Sequence, residues 1–211
     1  MAFTFDTTLA REVYPLAFLV GRWRGAGVIS YAGIERQRVL YNIEFSHDGE
    51  PYLRYEATLS KLPSEFRRVG ERVDLSAPDA DFAPPTSNEF AAATVWTTET
   101  GYWRPSTETI VGLGDGQFAI EVLLADALGR LTAYLGWIGK GRAELASQKM
   151  VRTATAPDVT ASVRQYGLVQ GRLFVSEDIA GYGQPLGSYL AAQLSRVEPD
   201  SHISDIPDAQ S

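Results

Sequence analysis

The sequence predicts an all-β domain, either a sandwich or a barrel. Apolar and polar residues alternate with a period of two almost everywhere after residue 38, which is the period of strands and not of helices. Short turn segments containing glycine, proline or aspartate separate the alternating runs,. Short strands at this spacing, with few helical stretches between them, are typical of sandwiches and barrels.

Five runs carry this alternation most clearly, and the residues named in each run share one face of a strand. The last run includes a carboxylate, Glu177, beside Asp178 on the other face. We expect both side chains to lie at the rim of the fold or in solvent. The alternative is that one of the two carboxylates points into the interior, where its pKa would be raised. The five sets are Val39, Tyr41, Ile43 and Phe45; Leu53, Tyr55, Ala57 and Leu59; Phe118, Ile120, Val122 and Leu124; Leu131, Ala133, Leu135 and Trp137; and Leu173, Val175, Glu177 and Ile179.

Two segments and the tail break the alternation. The apolar residues 15–20 suit a short helical plug at one end of the fold, with Pro15 in its first turn,. Residues 61–90 include several acidic residues and four prolines, and we interpret this segment as a loop. A loop of this length is often a lid or a contact for a partner. The acidic tail, residues 198–211, is expected to be disordered,.

Composition and charge exclude several classes of protein. The chain of 211 residues is interpreted as one domain,. Its lack of cysteine excludes thiol catalysis, thiolate metal sites and disulfides,. A net charge of -7 without a clustered basic face argues against nucleic-acid binding,. No apolar run approaches the roughly 20 residues of a membrane helix, and no signal-peptide pattern is visible, so we expect a cytoplasmic protein that does not bind membranes.

The sequence contains no recognisable catalytic set and no metal-binding motif. It has neither a G-x-S-x-G elbow nor an H-E-x-x-H motif,. The glycine-rich residues 112–116 lack the lysine of a phosphate-binding loop and are typical of a hairpin turn. Of the two histidines, His47 lies in a predicted turn and His202 lies in the tail. We therefore predict no catalytic residues and no metal ligands.

The most specific motif, residues 21–27, reads Gly-Arg-Trp-Arg-Gly-Ala-Gly and has the form G-x-W-x-G-x-G, opening at Gly21. Trp23 is large enough to seal one end of a barrel, while its indole N–H keeps a hydrogen-bond partner. Gly25 and Gly27 allow a strand to bend and another backbone to approach closely.

Four further segments follow this motif in order, and together with it they resemble the nitrobindin family. The barrels of that family are similar to those of fatty-acid-binding proteins, and the resemblance extends over residues 16–196. In related calycin-type barrels an arginine of the last strand lies across this tryptophan, which implies a cation–π contact between Trp23 and Arg196. The segments are residues 45–53 (FSHDGEPYL), 99–104 (ETGYWR), 183–186 (GQPL) and 190–196 (LAAQLSR).

The resemblance implies a closed antiparallel β-barrel of about ten strands, calycin-like, with a short N-terminal helical plug and a barrel body over residues 16–197. It also implies ferric haem b at one mouth of the barrel. In the family a histidine near the C-terminus binds the iron, and the other haem face meets nitric oxide or peroxynitrite. Haem-bearing members isomerise peroxynitrite to nitrate.

The sequence departs from the family pattern at the haem ligand. That pattern is similar to P-L-x-x-H-L, whereas residues 185–190 read Pro-Leu-Gly-Ser-Tyr-Leu and place Tyr189 where the histidine is expected. A phenol has a pKa of about 10 and must lose its proton to bind ferric iron well, which requires a nearby cation. On a regular strand Arg196 would lie on the opposite face. The resemblance therefore identifies a ferric nitrobindin-like member that lacks the haem-ligating histidine.

Three functions stay open at this point. The favoured one is a protein without cofactor or enzymatic activity that binds a small apolar or amphipathic ligand in a cavity lined by Tyr134, Trp137 and Tyr189. One alternative is a structural or interaction module whose barrel is filled by its own side chains. The other is a haem b protein that binds nitric oxide or isomerises peroxynitrite through a ligand other than histidine. The identity of the ligand and the oligomeric state are left open.

Overall fold

A computed structural model describes residues 8–63, 66 and 82–197. In that part of the chain a 3₁₀ helix, Arg11–Leu16, precedes ten strands, and one short α-helix follows the third strand. The elements are β1 (Gly21–Tyr31), β2 (Ile34–Ser46), β3 (Leu53–Lys61), α1 (Ser87–Ala92), β4 (Thr94–Pro105), β5 (Phe118–Asp126), β6 (Arg130–Gly139), β7 (Arg142–Arg152), β8 (Val159–Val169), β9 (Arg172–Gly181) and β10 (Gln184–Val197).

The ten strands close into one antiparallel barrel, and the predicted fold class is confirmed. Each strand pairs with its neighbours in sequence, and β1 completes the circle by pairing with β10. Alternation alone left a sandwich open as well, since both folds bury one face of each strand. Closure distinguishes the two, because a barrel leaves no free strand edge.

The predicted apolar sets face the barrel interior on four strands but not on β6. On β6 the buried positions are even-numbered, from Thr132 to Ile138, so Trp137 lies on the outer face. Both faces of this strand carry apolar side chains, and periodicity therefore could not select the inner one. On β5 the inward set is buried from Ile120 onward, while Phe118 is exposed at the start of the strand.

Two glycines of the G-x-W-x-G-x-G motif allow β1 to approach β10 closely. Gly25 lies opposite Leu194, and a Cβ added to it would lie 2.0 Å from the carbonyl oxygen of Gln193. A Cβ on Gly27 would lie 2.4 Å from the carbonyl oxygen of Ala191. Both distances are far inside van der Waals contact, so a side chain at either position would push the two strands apart.

The 3₁₀ helix closes the end of the barrel at which β1 begins, here called the plug end; the opposite end is the distal end. Trp23 donates its indole N–H to the carbonyl of Leu19 at 2.7 Å. The Arg196 guanidinium lies 4.2 Å from the Trp23 ring centroid and donates to the carbonyl of Phe18 at 3.0 Å. The predicted cation–π contact is confirmed. The helix begins four residues before Pro15, so the predicted plug is shifted toward the N-terminus.

The segment predicted as a loop, residues 61–90, runs into an ordered helix at its end. Thr86 and Glu89 exchange the reciprocal hydrogen bonds of a capping box at the start of α1,. Glu89 also accepts a hydrogen bond from Nε of Arg38 on β2 at 3.0 Å, and both side chains are buried. Residues 64, 65 and 67–81, like the tail 198–211, lie outside the described residues.

A small second core forms where α1 covers the outer face of β1 and β2. Three buried side chains compose it, and three partly buried ones pack against them. They are Ala26, Leu40 and Leu62, with Phe66, Phe90 and Ala93. The end of the predicted loop is therefore part of the folded structure, because it buries apolar surface and pairs a buried charge.

We predict that Glu89→Gln lowers the free energy of unfolding by about 1–3 kcal/mol, because it removes the carboxylate that accepts from Nε of the buried Arg38,. Urea unfolding followed by circular dichroism measures this change. Glu56→Gln, at an exposed position of β3, serves as the matched control. Equal midpoints for the two variants would contradict the docking of α1 on the barrel.

Candidate functional site

The barrel interior divides into an apolar half and a polar half. Near the plug end it is filled by Trp23, Phe45 and Trp103, all fully buried. The rings of Phe45 and Trp103 meet edge to face with centroids 5.3 Å apart. Toward the distal end the inward positions carry charged and hydroxyl side chains instead. This distal half holds the groups that could recognise or transform a ligand.

Three charged side chains form an interior charge cluster in the distal half. Arg164 of β8 donates to both carboxylate oxygens of Glu99 on β4, at 2.8 and 2.6 Å. It also donates to Glu177 of β9 at 3.2 Å. The side chain of Arg164 is only 4% exposed, so its charge depends on these two carboxylates for stabilisation. The bidentate geometry with Glu99 is the strong form of such a pair.

Hydroxyl groups and a second ion pair extend this cluster. Ser162 donates to Glu177 at 2.7 Å, and Tyr134 donates to Ser162 at 3.1 Å. Arg130 forms a largely buried ion pair with Asp126 at the distal end. The hydroxyl groups are therefore hydrogen-bonded to the cluster, while the Arg130–Asp126 pair acts on it through its charge.

The position of Glu177 corrects the expectation of a rim or solvent-facing carboxylate. The side chain is buried and shares the inner face of β9 with Val175 and Ile179. Arg164 makes this location tolerable by supplying a positive partner from the neighbouring strand. Burial opposes ionisation of Glu99, but attraction and hydrogen bonds from Arg164 outweigh it and hold the pKa of Glu99 below its usual value,.

Tyr189 lies in a β-bulge of β10. Ser188 pairs with Asp178 and Leu190 pairs with Glu177, which leaves Tyr189 as the extra residue,. Its side chain packs against the interior core instead of alternating to the outside. The parity argument that separated it from Arg196 is therefore wrong, since a bulge interrupts alternation. Arg196 is nevertheless remote from Tyr189, because it lies at the plug end.

The surroundings of Tyr189 keep its phenol protonated. Burial, followed by the nearby Glu177 carboxylate, raises the pKa of Tyr189 well above its usual value. Arg130 acts in the opposite direction but does not prevail, and its guanidinium is already paired with Asp126. A phenol must lose its proton to bind ferric iron well, and these surroundings oppose that loss,.

The structure places the other predicted site residues in different regions. Tyr134 is buried on the inner face of β6, as expected for a residue lining the interior, whereas Trp137 lies on the outer face and cannot line it. His47 follows β2 at the plug end, and His202 lies outside the described residues. Within the described ranges, no three His, Cys, Asp or Glu side chains are grouped to hold a metal ion. No described helix is long and apolar enough to cross a bilayer.

Sequence reasoning missed the interior charge cluster. The sequence contained one indication of it. Glu177 has the same parity as the apolar residues Leu173, Val175 and Ile179, which predicts an inward side chain. A carboxylate at such a position requires a positive partner inside the fold. Arg164 could not be recognised as that partner, because the pairing joins side chains from separate strands whose neighbourhood depends on barrel closure.

Comparison with known proteins shows matches over most of the chain. The family model described as "THAP4-like, heme-binding beta-barrel domain" matches residues 12–196. A ferric nitrobindin-like protein of Beutenbergia cavernae is 36% identical, covering 93% of this chain and 100% of the relative. A peroxynitrite isomerase of Frankia casuarinae is also 36% identical, covering 92% and 90%.

A solved structure gives the same result for the fold. The crystal structure of Rv2717c from M. tuberculosis superimposes with a TM-score of 0.64 at 25% identity, covering 90% of this chain and 99% of that one.

The prediction that no cofactor is involved is wrong at the level of the family, because the matching family model is described as heme-binding. Haem b, expected above only as an alternative, is the cofactor class to which this barrel is related.

Five tyrosines of the interior share a pKa raised above the ordinary phenol value, and burial is the largest cause in each case. The folded barrel thus holds five phenol protons more tightly than the unfolded chain does. They belong to Tyr41, Tyr55, Tyr134, Tyr166 and Tyr189.

We therefore predict that the free energy of unfolding falls as the pH rises above about 10, where the unfolded chain releases phenol protons that the folded barrel retains. This stability is fully present below that pH. Urea unfolding at a series of pH values measures the slope. Tyr55→Phe should make the fall shallower, whereas Tyr102→Phe, at an exposed position, should not. Identical slopes in the two variants would contradict the assignment.

Proposed function

The chain belongs to the nitrobindin family of heme-binding β-barrels, and we propose that it binds a small apolar or amphipathic ligand, haem included, without a histidine bond to the iron. Membership rests on the family match over residues 12–196 and on relatives that are 36% identical over nearly their whole length. The proposal concerns what the residues of this particular barrel offer to a ligand.

The observation that carries the proposal is the place of Tyr189, whose side chain packs against the interior core near Glu177. The pattern of residues 185–190 puts this side chain where the family pattern has histidine. A neutral imidazole binds iron readily at pH 7, whereas a phenol must first ionise. Burial and Glu177 oppose that ionisation. A haem in this barrel would accordingly be held by packing and polar contacts with the barrel wall.

The division of the interior supports an amphipathic occupant. A barrel of this size can hold one small ligand. Apolar side chains occupy its plug half, and the interior charge cluster with Tyr134 and Ser162 supplies polar contacts in its distal half. An entirely apolar ligand would leave these polar groups unused, which favours a ligand with one polar end.

Peroxynitrite isomerisation, the activity named for several relatives, is not assigned to this chain. Bound haem b would supply the ferric iron as reactive centre, and in this proposal Tyr189 would not ligate that iron. Haem-dependent isomerisation through a ligand other than histidine remains the alternative function. A cytoplasmic location and the absence of nucleic-acid and membrane partners remain predictions, and the oligomeric state is left open.

We predict that Tyr189→His converts the barrel into a histidine-ligated haem protein. Titration with ferric haem should give a sharp Soret band at one-to-one stoichiometry in this variant, because a neutral imidazole replaces the phenol at the same place. Wild type and Tyr189→Phe should give the same spectrum as each other, because neither supplies a ligand at this position. Visible absorption spectroscopy of the three proteins makes the comparison.

Tyr102→His, at an exposed position on the outer face of β4, controls for haem capture by an added surface histidine and should leave the spectrum unchanged. The proposal is wrong if wild type shows a tyrosinate-ligated haem spectrum that Tyr189→Phe abolishes. It is also wrong if Tyr189→His folds but produces no new Soret band.

A further inference from the structure

The outer face of β4 to β7 carries large apolar side chains, although one face of an antiparallel wall usually meets water with polar residues. Four of them, one from each strand, are between 47% and 63% exposed. Together they present on the order of 400 Å² of apolar surface, the size of patches that are often functional on soluble monomers. This apolar wall lies outside the barrel and takes no part in the interior site. Its large side chains are Tyr102, Leu123, Leu131 and Val151.

The strand register arranges these four side chains as two banks with a groove between them. Tyr102 of β4 lies opposite Leu123 of β5, and these two form the first bank. Leu131 of β6 lies opposite Val151 of β7, and these two form the second bank. The second bank is displaced from the first both across the strands and along them, so the groove runs diagonally over the wall.

Small side chains form the floor of the groove. Ala133 continues the row of the first bank, because it lies opposite Leu123. Ala125 continues the row of the second bank, because it lies opposite Leu131. The floor therefore passes between the banks from Ala125 to Ala133, and the groove has a volume of about 470 Å³. This volume is within the range of sites for small molecules.

A lysine stands at one end of the groove. Lys149 of β7 lies opposite Ala133 and lines the groove. It forms no ion pair with any residue in the described part of the chain. Its ammonium group is therefore available to an anion from outside the protein.

A β-bulge in β7 places this lysine on the outer face. Ala133 pairs with Lys149, whereas Tyr134 pairs with Ser147, which leaves Gln148 as the extra residue. The odd-numbered residues of β7 face inward before the bulge and outward after it. Bulges redirect side chains in this way and are common beside functional sites.

The charges at the two ends of the groove have opposite signs. Lys149 lies at the Ala133 end, whereas Glu56 of β3 lies opposite Thr100, which lines the groove at its other end. Arg54 and Arg152, which flank the wall, are already engaged in ion pairs. An anionic group in the groove is consequently attracted to one end and repelled from the other.

We propose that this groove is a second binding site, which takes a single-chain anionic amphiphile with its carboxylate at Lys149 and its chain between the two banks. Charge complementarity favours the anionic headgroup, and the two banks favour the apolar chain. A second copy of the protein is a poorer match, because the apolar wall is about half of the roughly 800 Å² that each partner buries in a stable complex. The site lies outside the barrel, so the inference goes beyond the proposed function and does not depend on it.

The test compares octanoate with 1-octanol, which has the same chain length and no charge. Titrations of the ¹⁵N-labelled full chain at about pH 7.5 and low ionic strength are followed at the amide signals of Ala125 and Ala133. Lys149→Glu should weaken octanoate binding about five- to tenfold, because it replaces an attraction with a repulsion. It should leave octanol binding unchanged. Lys140→Glu, the same charge change in the β6–β7 turn, should bind both probes as wild type does.

A second variant tests the apolar banks. Leu131→Gln should weaken octanoate and octanol by a similar factor of about five, because it replaces apolar contact surface with a polar side chain. Val169→Gln, at an exposed apolar position of β8, is the matched control and should bind both probes as wild type does. Urea unfolding checks that the variants retain the fold.

Four outcomes would overturn the inference. The first is that octanoate leaves the signals of Ala125 and Ala133 unmoved. The second is that Lys149→Glu binds octanoate as wild type does. The third is a dimer in analytical ultracentrifugation that Leu131→Gln dissociates, since a second copy would then cover the wall. The fourth is binding to vesicles of phosphatidylcholine and phosphatidylglycerol without binding of free octanoate. In every case the haem titrations of the Tyr189 variants still report on the proposed function separately.

Discussion

The polar half of the barrel interior depends on the ion pairs that the buried guanidinium of Arg164 forms with two carboxylates. A charge that is removed from water requires close partners of opposite sign, and Arg164 obtains them from β4 and β9. Because β4 lies on another part of the barrel wall from β8 and β9, the cluster connects strands across the interior. The cluster makes the distal half polar and places Glu177 beside Tyr189.

Membership of the family determines the barrel fold, whereas a few inward side chains determine which ligand the barrel can bind. The fold and the relation to haem-binding proteins follow from similarity over most of the chain. Relatives of comparable identity are named either ferric nitrobindin-like protein or peroxynitrite isomerase, so overall similarity does not choose between those names. We propose that the choice depends on individual positions such as Tyr189, where burial and a neighbouring carboxylate raise the pKa of the phenol.

Much of the fold could be predicted from the sequence, because alternation with a period of two is a local property. The contact of Trp23 with Arg196 was also predictable, because the resemblance to calycin-type barrels implied it. The site was less accessible to prediction. The outward position of Trp137 depends on which face of β6 turns inward, and the bulge at Tyr189 shifts the parity of β10. The partnership of Arg164 with Glu99 joins residues that only barrel closure brings together.

The most direct test of the central claim is the ionisation of Tyr189 itself. Tyrosine labelled with ¹³C at Cζ reports the protonation of each phenol by NMR, and Tyr189→Phe identifies the signal among the ten tyrosines. The account predicts that the Tyr189 signal keeps the chemical shift of a neutral phenol to above about pH 10, the ordinary value. A transition centred below about pH 9 would show a phenol poised to bind ferric iron, and would contradict the claim that this barrel offers haem no anionic ligand.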